Sequence, residues 1–131
     1  MGITGIEHMG FVVANPGAAA EWYCEHLGFH VLRVGENGSV AFVQCPETGL
    51  ILELIGEGEV EAAVKDLRHP LQVHLALRTD AFEAERDRLV AAGAEFAMHC
   101  ETSDPDARVC VLKDPFGLYL QLAQRREAFW K

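Results

Sequence analysis

The sequence predicts an α+β fold made of two copies of a βαβββ module. Three observations carry that expectation. Half of the 131 residues are apolar, enough for a real core in a chain of this length. Apolar alternation and turn residues mark the same order of elements twice: a strand, a helix, then three strands. Landmarks in the two halves also recur at a nearly constant offset. His8 and His74 lie 66 positions apart, Gly28 and Gly93 65, and Gly49–Gly117 and Glu53–Gln121 both 68. Small loop differences account for that drift, and a duplicated unit accounts for the rest.

Residues 3–13 are rich in β-branched and apolar side chains and read as the first strand. Asn15-Pro16 reads as a helix start, with Asn15 as N-cap and Pro16 at the first helical position. Trp22, Tyr23 and Leu27 give this helix an apolar side, and Gly28 ends it. Phe29 to Arg33 is a short strand, Glu36-Asn37-Gly38 a turn that tolerates positive φ. Val40 to Gln44 and Leu50 to Ile55 complete the first module, residues 3–56. Residues 57–70 form a connector with Glu57, Glu59 and Glu61, in which Val60 to Leu67 suit a short helix.

The second module, residues 71–124, repeats the order. Leu71 to Thr79 is a strand. Asp80 with Glu83 resembles a capping box opening a helix. Phe82, Leu89 and Ala92 form its inner side, and Gly93 stops it. Ala94 to Met98, Arg108 to Lys113 and Gly117 to Ala123 are the remaining strands, the last preceded by the turn Asp114-Pro115-Phe116-Gly117. Residues 125–131 are a tail whose Phe129 and Trp130 suit docking on the domain or on a partner subunit. The whole chain, residues 1–131, reads as one domain.

Composition limits the function classes. Eleven basic and twenty acidic residues give a formal charge of −9, which disfavours a nucleic-acid backbone as partner. No apolar run reaches the roughly 20 residues needed to span a bilayer. The N-terminus lacks the pattern of a secretory signal, so a cytoplasmic location is expected. Cys24, Cys45, Cys100 and Cys110 form no C-x-x-C pair and are expected to be reduced, with Cys110 a small buried side chain.

The candidate site follows from strand alternation. His8, Gly10 and Val12 oppose Met9, Phe11 and Val13; Ile51, Glu53 and Ile55 oppose Leu50, Leu52 and Leu54. In the second half, His74, Ala76 and Arg78 oppose Val73, Leu75 and Leu77; Tyr119, Gln121 and Ala123 oppose Leu118, Leu120 and Leu122. In every case the bulky aliphatic face should pack under the helix, leaving His8, Glu53, His74 and Gln121 on a concave face. Two imidazoles, a carboxylate and an amide oxygen suit a divalent metal. An unpaired Glu53 in such a place would cost several kcal/mol, so it calls for a cation. Gln121 is the weakest donor, and an alternative role is to hydrogen-bond a metal-bound water.

At Ile6-Glu7-His8-Met9-Gly10, the Leu27-Gly28-Phe29 helix exit, and Asp114-Pro115-Phe116-Gly117 through Gln121-Leu122, the chain resembles the vicinal oxygen chelate superfamily. This is also called the glyoxalase/bleomycin-resistance/dioxygenase superfamily. The resemblance runs from Ile3 to Ala123. It implies two βαβββ modules curling into an open, barrel-like cup. It also implies a Ni, Co, Zn, Mn or Fe ion held by His8, Glu53, His74 and Gln121, a small-molecule substrate and a homodimer.

Departures from the family pattern narrow the activity. The last-strand ligand is commonly Glu, whereas Gln121 cannot act as a general base, leaving Glu53 as the catalytic carboxylate. Glyoxalase I typically has Arg four residues after its first ligand and Asn four after its fourth-strand Glu. Val12 and Glu57 stand there, which disfavours glyoxalase I in the strict sense. With the halves exchanged, His74, Gln121, His8 and Glu53 resemble the His, Gln, His, Glu set of methylmalonyl-CoA epimerase. Arg78 and Arg125 then follow His74 and Gln121 at the anion-gripping spacing, Arg125 reading better as a solvated tail residue.

The leading expectation is a metal-dependent lyase, isomerase or epimerase acting on a small carbonyl or thioester through an enolate-type intermediate. Arg78 and Tyr119 would contact substrate. A non-haem iron extradiol dioxygenase is the first alternative, with His8, His74 and Glu53 as facial triad and Tyr119 or His99 as acid–base group. A non-enzymatic antibiotic-binding protein is the second, with Trp22, Phe11 and Phe42 supplying aromatic surface, although core packing explains those three better.

Overall fold

The computed structural model describes residues 2–56, 58 and 69–127. The chain divides into two compact units, Met1–Asp66 and Leu67–Lys131. The first contains β1 (Met9–Val13), α1 (Pro16–Leu27), β2 (His30–Val34), β3 (Val40–Gln44) and β4 (Ile51–Gly56). The second contains β5 (Leu75–Arg78), α2 (Phe82–Ala91), β6 (Glu95–Cys100), β7 (Arg108–Lys113) and β8 (Tyr119–Gln124). The α+β class and the two βαβββ modules therefore stand as expected. The suggested helix between Val60 and Leu67 and the aromatic tail residues Phe129 and Trp130 lie outside the described residues, as does Glu57.

Each module folds one sheet with the same strand order, β1-β4-β3-β2 in the first and β5-β8-β7-β6 in the second. The first and last strands of each module pair in parallel, and every other pairing is antiparallel. This topology places the two strands expected to carry the candidate ligands next to each other. The helix between first and second strands makes that parallel pairing possible, because parallel neighbours need a crossover.

The cores follow the alternation read from the sequence. Phe11, Val13, Ala41, Val43, Leu52 and Leu54 are buried in the first unit, with Ala19, Ala20, Trp22 and Tyr23 of α1. Leu75, Leu118, Leu120 and Leu122 are buried in the second, with Phe82 and Leu89 of α2. Trp22 and Phe11 thus belong to the core. Among the described residues no helix is long and apolar enough to cross a membrane.

Helix α1 starts and stops as its sequence dictates. Asn15 Oδ1 accepts from the Ala18 backbone N–H at 3.1 Å, Pro16 opens the helix, and Gly28 closes it at φ 73°. The turn at Glu36–Gly38 uses positive φ at Asn37 (61°) and Gly38 (66°).

Two expectations need correction. The first strand starts at Met9 rather than residue 3, and the fifth at Leu75 rather than Leu71. The reason is pairing: the ladder with β4 begins at Met9↔Leu52, and that with β8 at Leu75↔Leu120. Ile3, Ile6, Leu71 and Val73 have strand-forming side chains but no ladder, and they are exposed. The second correction concerns α2, where Asp80 forms no cap. The position before the helix is Ala81, and the Phe82 N–H donates to Gln124 Oε1 of β8 at 2.9 Å. Glu83 pairs with Arg108 of β7 instead of reaching back to the helix start.

Candidate metal centre

In the first unit, β1 and β4 pair so that Gly10 lies opposite Glu53. His8 is two residues before Gly10, just ahead of β1, and two residues return a side chain to the same side of a strand. His8 Nε2 consequently stands 3.6 Å from Glu53 Oε1, both side chains partly buried. Gly10 adjoins this pair: a methyl group there would sit 3.4 Å from Glu53 Oε1, at van der Waals contact. The other ring nitrogen, His8 Nδ1, lies 3.1 Å from Glu7 Oε1. Phe42, opposite Glu53 in β3, meets the His8 ring edge-on with centroids 5.6 Å apart. Val12, Ile51 and Ile55 are half-buried neighbours on this face.

The second unit repeats the backbone arrangement. Ala76 lies opposite Gln121, and His74 is two residues before Ala76, just ahead of β5. Each His therefore holds the same register position relative to the Glu or Gln of its module. His74 Nδ1 is buried with no hydrogen-bond partner among the described residues. Gln121 and Tyr119 are half-buried between the buried Leu118, Leu120 and Leu122. Lys113, opposite Tyr119 in β7, places its ammonium 5.7 Å from the Tyr119 ring centroid. Arg78 is exposed on the Ala76 side of β5, and Arg125 follows the end of β8. His99 is exposed on β6.

Taken unit by unit, two observations fit a divalent metal. A separation of 3.6 Å between His8 Nε2 and Glu53 Oε1 exceeds a hydrogen bond. It matches two donors bound at about 2.1 Å to one ion, which stand roughly 3.4 Å apart at a tetrahedral angle. The orphaned His74 Nδ1 is the second observation. A buried polar atom without a partner costs about 1–3 kcal/mol, and a ligand removes that cost. Within the first unit the structure brings His8 and Glu53 together. Among the described residues, no three His, Cys, Asp or Glu side chains are gathered into a metal-holding group.

Sequence reading missed Glu7 and Lys113. Glu7 adjoins His8 in sequence, but its contact depends on the side-chain torsions of both residues. Lys113 becomes a neighbour of Tyr119 only once the β7–β8 register is known. Burial pushes the Cys110 thiol above its ordinary range, with nearby Arg86 opposing, and burial also raises Cys24 and Cys100.

The Asp114 turn that leads into β8 is built around one carboxylate. Asp114 is buried, and its Oδ1 accepts from the Phe116 and Leu118 N–H groups at 2.8 and 2.9 Å. Gly117 adopts φ 104° within it. This turn fixes where β8 begins, and hence the position of Gln121.

Residues 5–122 match the model of the Glyoxalase/Bleomycin resistance protein/Dioxygenase superfamily, and the chain belongs to that superfamily. None of the curated proteins matches it. Among solved structures it is similar to a possible glyoxalase from Bacillus cereus, with TM-score 0.66, 20% identity, and coverage of 92% of this chain and 98% of that one. It is also similar to a glyoxylase/bleomycin resistance protein/dioxygenase domain from Frankia sp., with TM-score 0.66, 22% identity, and coverage of 96% and 95%. A third is the fosfomycin resistance protein FosX from Listeria monocytogenes, complexed with Mn(II) and sulfate. There the TM-score is 0.70 at 14% identity, with coverage of 93% and 90%. At these identities the likeness is one of fold.

Proposed function

We propose that this chain is a metal-dependent lyase, isomerase or epimerase acting on a small carbonyl or thioester compound. His8, Glu53, His74 and Gln121 would hold one divalent ion. The observation that carries the reading is the repeated register: each His precedes by two residues the strand partner of its module's Glu or Gln. The contact between His8 and Glu53 and the orphaned His74 nitrogen support it. Superfamily membership and the Mn(II) bound by FosX support a divalent cation in such a fold.

A bound divalent ion supplies Lewis acidity, which polarises a carbonyl oxygen and favours loss of the adjacent proton. Glu53 is the group that takes this proton, being the only carboxylate among the four residues. Gln121 orients and donates an oxygen without taking a proton. Gly10, Val12, Ile51, Ile55 and Phe42 surround Glu53, whose side chain stays partly open to solvent, while Arg78 and Tyr119 contact the substrate's polar end. The exposed apolar side chains of Met9, Val31, Leu32 and Val34 favour a second copy of this chain as partner.

The test is metal content together with turnover. Protein purified without an affinity metal and loaded with manganese, cobalt or nickel should bind one ion per chain. It should then exchange the α-proton of small carbonyl or thioester acids with solvent deuterium. Retained exchange in Glu53→Gln protein with its metal still bound would remove Glu53 as the base.

A further inference from the structure

The two histidines occupy the same register position but would offer an ion different nitrogens, Nε2 in His8 and the orphaned Nδ1 in His74. His8 Nδ1 lies 3.1 Å from Glu7 Oε1, whereas His74 Nδ1 is buried with no partner among the described residues. Val73 stands where Glu7 stands in the first module, and it offers no acceptor. We infer that Glu7 is a positioning residue for His8, holding it as the Nδ1–H tautomer with the Nε2 lone pair turned toward Glu53. This inference rests on the metal-centre reading above.

The chemistry follows from what each atom can do. An ionised carboxylate only accepts, so Nδ1 must be the donor in the Glu7 contact. In a neutral imidazole the other nitrogen then carries the lone pair, which is the form a metal binds. Nε2 is also the nitrogen that faces Glu53 Oε1 at 3.6 Å. Phe42 meets the ring edge-on, with centroids 5.6 Å apart. Glu7 contributes from outside the site, its own side chain lying largely in solvent, 89% exposed. Its removal therefore disturbs no packing.

The experiment uses the full-length chain. Long-range proton–nitrogen correlation spectra of isotope-labelled, metal-free protein, recorded above the usual imidazole range, read the tautomer of each His. Wild type should show His8 as Nδ1–H. Glu7→Ala should move it toward Nε2–H, and Glu7→Gln, which keeps an acceptor oxygen, should hold the wild-type tautomer. Cobalt affinity by chelator competition should fall about tenfold in Glu7→Ala, the low end for such outer partners because Glu7 is solvent-exposed. An unchanged His8 tautomer in Glu7→Ala overturns the inference, as does unchanged cobalt affinity. Wild-type protein that shows the Nδ1–H tautomer but binds no cobalt overturns the metal-centre reading and leaves the hold of Glu7 on His8 standing.

Discussion

The two modules share their backbone plan and differ in the chemistry laid over it. Both run β-α-β-β-β, pair first and last strands in parallel, and set a His two residues before the partner of a Glu or Gln. On that frame the first module carries Glu53, Gly10, Val12, Ile51 and Phe42, an acidic group in apolar surroundings. The second carries Gln121, Ala76, Arg78, Tyr119 and Val111, with Lys113 over Tyr119. Under the proposed function, backbone register keeps the donors in place while side-chain substitution divides the work: a charged donor and base from the first module, a neutral donor from the second.

Altering the two donors one at a time breaks this comparison most directly. Glu53→Gln should lower turnover by about 10²–10⁴-fold, the usual contribution of a general base, with metal retained on elemental analysis. Gln121→Ala should instead weaken metal binding and leave proton abstraction by Glu53 intact in the fully loaded protein. Equal losses of turnover at saturating metal would show that the modules do not divide the chemistry in this way.

The turns before the last strands differ next. Asp114 satisfies two backbone N–H groups from a buried position. The corresponding turn of the first module closes through backbone bonds from Cys45 to Leu50 and from Gly49 to Cys45, with Gln44 Nε2 donating to the Gly49 carbonyl at 3.2 Å and the Leu50 N–H making a long 3.4 Å bond to Thr48 Oγ1. Asp114→Ala should cost about 3 kcal/mol in urea denaturation, since both N–H groups lose a charged acceptor. Thr48→Ala should change stability by less than about 0.5 kcal/mol.

The helix starts give the smallest effects. Asn15→Ala should destabilise by about 1 kcal/mol, the usual value of a side-chain cap. In α2, Gln124→Ala should cost about 1 kcal/mol through its bond to the Phe82 N–H. Asp80→Ala should stay within about 0.5 kcal/mol of wild type, because the cap does not use it. A larger loss from Asp80→Ala than from Gln124→Ala, measured by thermal unfolding, would restore the local capping box.

Much of this was legible in the sequence because repeats and alternation are local signals. The offsets between His8 and His74 and between Glu53 and Gln121 imply the shared topology, and period-two alternation puts the buried leucines opposite the donors. The strand starts were not legible, because Ile3 and Ile6 have the composition of a strand but no ladder to join. Nor was the α2 cap, since Gln124 lies 42 residues from Phe82 in sequence. The contacts of Glu7 with His8 and Lys113 with Tyr119 depend on torsions and register, which composition does not carry.

The central claim is that the two modules contribute to one metal centre. Metal stoichiometry and affinity of wild type, His8→Ala and His74→Ala, measured on protein stripped and reloaded with manganese or cobalt, test it most directly. The account predicts one ion per chain in wild type and a severe loss of affinity in each variant alone, since each removes a ligand of the same ion. Undiminished binding in His74→Ala, or two independent weak sites each lost with its own histidine, would contradict it.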